Sequence, residues 1–180
     1  MLNRIVVSLN KTANGFDAFN QYLGRILFIT PLLLILVQFS IVLMVYIFAI
    51  GSIMLQESLQ YINALMFMGA VGHTALQDEH VRVDIFYSNM KRTKKDWVNL
   101  LGSLFFLMPT IWLLWSVSLS YVGSSFVILE GSSETGGLPF VYLLKGTIIL
   151  FCISLSTAAL STIIRIGLKK TCAFMQREKT

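Results

Sequence analysis

From Ile26 to Ile50 the chain is almost unbroken in its apolar character, with Thr30, Pro31, Gln38 and Ser40 as the interruptions. A helix rising 1.5 Å per residue needs about 20 apolar residues to cross a hydrocarbon core about 30 Å thick, so residues 26–50 form the first expected span. Pro31 falls in its opening turns, where a missing backbone donor costs little. Residues 59–76 form a second, barely long enough, whose Gln60, Asn63 and His73 suit a position among other helices rather than against lipid. Residues 97–129 exceed the bilayer, which implies strong tilt, a kink at Pro109 or an interfacial first turn. The fourth span covers residues 139–164, with Lys145 near its start. Ahead of the first span, Ile5, Val6, Leu9, Phe16, Phe19 and Leu23 recur at near-helical spacing around Asn14-Gly15. That pattern predicts two short amphipathic pieces lying on the membrane surface, broken at Asn14-Gly15. Ile5 to Leu9 is too short for the apolar region of a cleaved signal, so the first span is expected to act as an uncleaved anchor.

Composition agrees. With 56% hydrophobic and 13% charged residues and a mean hydropathy of +0.74, the chain is far more apolar than soluble proteins, which run at roughly 45–50% and 25%. The expected fold is an all-α integral membrane protein: one four-helix domain over residues 1–180 with a short amphipathic N-terminal segment.

The charges orient it. Arg4, Lys11 and Arg25 precede the first span; Arg82, Lys91, Arg92, Lys94 and Lys95 lie between the second and third; Arg165, Lys169, Lys170, Arg177 and Lys179 follow the fourth. The other two connections, residues 51–58 and 129–138, carry no Lys or Arg, so the positive-inside rule predicts both termini in the cytoplasm and a multi-pass protein of the inner membrane. Basic residues beside membrane spans are explained by topology and anionic lipid, which leaves no reason to invoke nucleic acid. The outer side is acidic, with Glu57, Glu130 and Glu134.

Little chemistry is encoded. His73 and His80 are seven apart and would share a helical face, whereas axial haem ligation needs imidazoles on opposite sides of the iron. His73 therefore reads as a packed polar residue hydrogen-bonding a neighbouring helix, unless a second helix or chain supplies another ligand. Cys152 and Cys172 would stand about 30 Å apart along a helix, too far for a disulfide. No phosphate loop, nucleophile elbow or zinc-binding helix motif occurs, and no enzyme activity, metal site or cofactor is expected. All nine acidic residues fall in loops or at span ends, so the midplane carboxylate of a coupled pump is missing, as is the Glu that a small multidrug exporter would carry in its first span.

Lys145, roughly a turn and a half into the fourth span, must snorkel or find a partner. Glu57 is the favoured partner, with Glu130 and Glu134 at that depth or above it. Small residues recur at every fourth position: Ser116, Ser120 and Ser124 in the third span, Ser154, Ala158 and Thr162 in the fourth. Such stripes permit close helix approach, within the bundle or against a partner subunit.

The run from Gly72-His73-Thr74 through Glu79-His80-Val81-Arg82-Val83-Asp84, at the inner end of the second span, resembles the DctQ-type small membrane subunit (Q subunit) of tripartite ATP-independent periplasmic (TRAP) transporters. So do the acidic opening of that span, Gln56-Glu57, and the outer loop Ser133-Glu134 followed by Gly136-Gly137-Leu138-Pro139 and Lys145. Many relatives have two adjacent acids where this chain has Gln56-Glu57. The resemblance implies a small permease subunit that braces the static part of a large M-type, elevator-type membrane subunit and helps seat a periplasmic substrate-binding protein. It implies sodium coupling in the large subunit, no substrate site in this chain, and uptake of a small, anionic organic solute. It also gives Arg82 and Asp84, two residues apart and on one face if extended, a choice of roles: tying the cytoplasmic loop to itself or to the large subunit, or standing as solvated charges. The alternative from another class is the membrane anchor of an electron-transfer complex.

Overall fold

The computed structural model describes residues 2–77 and 92–177. His80, Arg82 and Asp84 lie outside the described residues. Among those residues every regular element is helical: α1 Leu2–Leu27, α2 Thr30–Tyr46, α3 Ile53–Leu76, α4 Arg92–Gly102, a π-helical turn Ser103–Leu107, α5 Met108–Val127 and α6 Val141–Arg177. The expected all-α class is met. Among the described residues three stretches are long and apolar enough to cross a membrane: Val6–Tyr46, Trp97–Val127 and Val141–Lys169. The 24-residue α3 is shorter than these but at about 36 Å still exceeds a hydrocarbon core of about 30 Å; its Gln56, Glu57, Gln60, Asn63 and His73 make it more polar than the other three.

The boundaries differ from the sequence reading for identifiable reasons. The first apolar stretch is not one helix over residues 26–50: a turn at Phe28-Ile29 precedes α2, Pro31 sits in α2's first turn, and Ala49, with φ of 55°, follows its end. The second helix begins six residues earlier than residue 59. Ser52 caps it by accepting a hydrogen bond from Leu55 N–H at 3.4 Å, which leaves the polar Gln56 and Glu57 inside the helix. In the third, the irregularity is the π-helical turn immediately before Pro109; proline has no N–H for the carbonyl four residues back, and a widened turn redistributes the bonds. α6 starts at Val141, just past Pro139, and runs well beyond residue 164.

The N-terminal segment is the largest correction. It is a single 26-residue helix that passes through Asn14-Gly15 without a break, and it packs against α3 and α6. Its buried residues Ala13, Asn20 and Leu27 recur every seven positions, the spacing of a helix seam laid along neighbouring helices. The Asn14 side chain accepts a hydrogen bond from Arg165 at 3.0 Å, so it does not compete for its own backbone as a turn-forming Asn would. Tertiary packing overrides the local break signal.

The long α6 is the common wall of the bundle: α3, α1 and α5 all lie against it, and α2 lies on α3. The interior is small and polar. Asn20, Cys152, Ser125, Ser154 and Ser161 are the largest fully buried side chains, while Phe28 (85% exposed), Phe106 (77%) and Trp112 (74%) face outward. Lipid tails are as apolar as leucine and give helices no hydrophobic reason to associate, so close backbone approach and interhelical hydrogen bonds hold the bundle instead. Gly72 shows how close that approach is. A Cβ there would stand 2.1 Å from Asn20 Oδ1 and 2.6 Å from the Ser154 carbonyl oxygen, whereas a Cβ at Gly15 would meet nothing within 4 Å. Gly72→Ala should therefore destabilise the chain by about 1–3 kcal/mol and Gly15→Ala should stabilise it by about 0.5–1 kcal/mol. Thermal unfolding in detergent followed by circular dichroism checks both; equal effects would contradict the packing.

Candidate functional site

Two polar clusters organise the bundle. At the end carrying the α5–α6 connection, Glu57 in the opening turns of α3 acts as a clasp. Its carboxylate accepts the Ser132 hydroxyl and the Leu138 backbone N–H at 2.6 Å. The loop also closes on itself: Ser132 N–H bonds the Leu138 carbonyl and Gly137 N–H the Glu134 carbonyl, each at 3.1 Å, and the Ser132 hydroxyl accepts from Glu134 N–H, also at 3.1 Å. Gly136, at φ +88°, occupies the left-handed region. At Gly137 a Cβ would lie 2.3 Å from Ser132 Oγ and 2.6 Å from Glu57 Oε1, so the clasp needs glycine there.

Lys145 pairs with Glu130 at 2.5 Å and lies 4.3 Å from the centroid of the Tyr121 ring, a cation–π contact. Glu57, the favoured partner from sequence, is occupied by the loop. The physical reason is the fold-back after Val127: Leu129, at φ 47°, ends α5 in the left-handed region and carries Glu130 over the first turn of α6, where its carbonyl accepts Tyr142 N–H at 3.2 Å. The Lys145 ammonium, foremost by its hydrogen bond, holds the Glu130 carboxyl below the ordinary carboxylate range.

The second cluster joins α1 to α3 and α6. Asn20, fully buried, accepts the Ser154 hydroxyl at 2.8 Å and donates to Thr157 Oγ1 at 2.9 Å and the Phe16 carbonyl at 3.2 Å. Ser154 in turn accepts Gly72 N–H at 3.0 Å, so three helices meet at one hydroxyl. Toward the N-terminal half of α1, Asp17 accepts Arg165 Nε at 2.9 Å and the Ser161 hydroxyl.

The sequence-derived candidates separate accordingly. Ser154 and Ala158 are buried and Thr162 partly so; that stripe serves packing inside the bundle. Ser116, Ser120 and Ser124 lie on the exposed face of α5. His73 packs on α1, its Cγ 2.3 Å from where a Gly24 Cβ would be, yet its Nδ1 is buried with no hydrogen-bond partner, contrary to the interhelical bond expected of it. Glu134 is exposed beside the clasp. Sequence reasoning missed Asp17, Asn20 and Ser161. The seven-residue recurrence of Ala13, Asn20 and Leu27 was the available signal, masked by the louder apolar positions on the other face of α1.

A double-mutant cycle on thermal stability should show coupling between Lys145→Met and Glu130→Gln, while Lys145→Met and Glu57→Gln add independently; the reverse pattern would refute the pairing. Acid should act late. Because the folded-state pKa of Glu130 is lowered, its contribution is complete above the ordinary carboxylate range and fades as pH falls through the folded value. Tyr121 environment, read as fluorescence in a Tyr-reduced background, should hold steady through that range and change only below it; Glu130→Gln should abolish the transition.

The comparisons with known proteins fit this all-helical, inward-polar chain. Residues 32–167, well over half of it, match the family model described as tripartite ATP-independent periplasmic transporters, DctQ component. No curated protein and no solved structure gave a match. The matched stretch takes in α2, α3, α5, the clasp loop and most of α6, and the chain belongs to the DctQ component family of tripartite ATP-independent periplasmic transporters.

Proposed function

We propose that the chain is a static brace: the small permease subunit that holds the large membrane subunit of a TRAP-type transporter in the bacterial inner membrane and helps seat the periplasmic binding protein. The observation that carries this reading is the use to which its polar groups are put. The Asn20–Ser154–Gly72 junction and the Glu57 clasp join helices or fix a loop, and such fixed bonds suit a scaffold rather than an alternating carrier, whose ion and substrate sites must open. The family membership supplies the transporter. Sodium coupling and the solute site then belong to the large subunit, with a small anionic organic solute as cargo.

In this reading α3 completes the set of four spans, packed on α1, α2 and α6 with Gln56, Gln60 and Asn63 on its exposed side. Both termini face the cytoplasm and the Glu57 clasp faces the periplasm, where Glu134 and its ordered loop contribute to the docking surface. Single cysteines replacing Lys179 or Ser132 test the topology in intact spheroplasts: an impermeant maleimide should label Ser132→Cys and miss Lys179→Cys, and the opposite result would invert it. Proteoliposomes holding this chain alone should show no solute uptake, and those holding it with the large subunit, the binding protein and a sodium gradient should show it. Uptake by this chain alone would overturn the brace reading.

A further inference from the structure

A groove of about 300 Å³ between α2 and α3 is lined by Leu34, Gln38, Leu59, Gln60 and Asn63. Gln38, Gln60 and Asn63 are exposed, and none of the three side chains makes a hydrogen bond among the described residues. Their level matters. Gln38 lies about 12 Å along α2 from Thr30 and Asn63 about 15 Å along α3 from Ile53, close to the middle of helices that span the bilayer. Three carboxamides at that depth, facing lipid, would leave donors and acceptors with nothing to bond, at several kcal/mol each in hydrocarbon.

The face continues along α3. Gln56, Gln60, Asn63 and Phe67 are all exposed and follow one another at spacings of four, three and four residues, a single stripe on the side of α3 away from the polar seam. Most of the remaining outer surface is large and apolar, and the exposed Ser116 and Ser124 hydroxyls on α5 bond carbonyls of their own helix, as these amides do not. Each amide offers both a donor and an acceptor, so the complementary surface is a helix that also presents hydroxyls, amides or free backbone groups at mid-membrane depth.

We infer that this amide-lined groove is the intramembrane seat for a transmembrane helix of the large subunit. The inference rests on the brace reading above and adds the face through which the brace holds. The occupant is assigned by membership of a multi-component transporter, which supplies a protein other than a second copy of this chain.

The test uses the full chain co-expressed with its cognate large subunit. A photo-crosslinking amino acid at Leu34 or Leu59 should capture the large subunit, and one at Trp112, exposed on α5, should capture it far less. Replacing Gln38, Gln60 and Asn63 together by Leu should reduce co-purified large subunit on the order of tenfold or more, since each interhelical amide bond in a membrane is worth roughly threefold to twentyfold. The same triple variant purified alone should melt no lower than the parent chain, because Leu suits lipid better than an unpaired amide. Crosslinks to lipid alone or to a second copy of this chain would overturn the proposal, as would undiminished co-purification of the triple variant. If the parent chain retains the large subunit and crosslinks from Trp112 instead, the brace reading stands and this face falls; if the parent chain retains no large subunit, the brace reading itself falls.

Discussion

The hydroxyl of Ser154 is where the bundle is decided. It donates to Asn20 on α1 and accepts Gly72 N–H on α3, so one small side chain on α6 fixes the distance and register of two other helices. Water would weaken such bonds by competing for them, and a soluble protein would build the same junction from Leu and Phe. In lipid neither applies: apolar side chains gain nothing by leaving the hydrocarbon, and backbones close enough to share hydrogen bonds must present Gly, Ala or Ser. The outward display of Phe28, Phe106 and Trp112 follows from the same constraint.

From that junction the rest is positioned in steps. α1 is drawn onto α3 and α6 along Ala13, Asn20 and Leu27, which brings Asp17 to Arg165 at one end. α3, held along its small inner face at Gly69 and Gly72, is free to expose polar groups elsewhere. At the other end Glu57 reaches the α5–α6 loop and clamps it through Ser132 and Leu138, while the Lys145–Glu130 pair anchors the early part of the loop to α6. A connection rich in Gly and Ser is thereby held by side chains from two helices as well as by its own backbone bonds. Order of this kind lowers the cost of binding a partner, because less freedom is lost on contact.

The helical class was legible in the apolar runs, and the family was legible in a few short motifs between Gln56 and Lys145. Lys145's need for a partner was legible too, but not which acid answers it. That choice depends on where the chain turns after Val127, and the left-handed Leu129 that sets the turn carries no glycine or asparagine signal. Asn14-Gly15 failed in the opposite sense: a strong local break signal is overruled because Ala13 and Asn20 on either side are buried against α6. Small polar residues are the hardest to read in a membrane sequence. Ser116 and Ser154 belong to identical-looking stripes, and only the packing of α5 and α6 separates an outward serine from one that holds three helices together.

The account turns on α1 being part of the bundle rather than a strip on the lipid surface. Ser161 Oγ lies 3.4 Å from the Ala13 carbonyl oxygen, with both residues fully buried. Ala13→Cys combined with Ser161→Cys, in a chain with Cys152→Ala and Cys172→Ser, tests this in native membranes by mild oxidation and mass mapping of disulfide-linked peptides. The account predicts an intramolecular disulfide for that pair and none for Gly15→Cys with Ser161→Cys; the absence of the first, or equal yields of both, would contradict it.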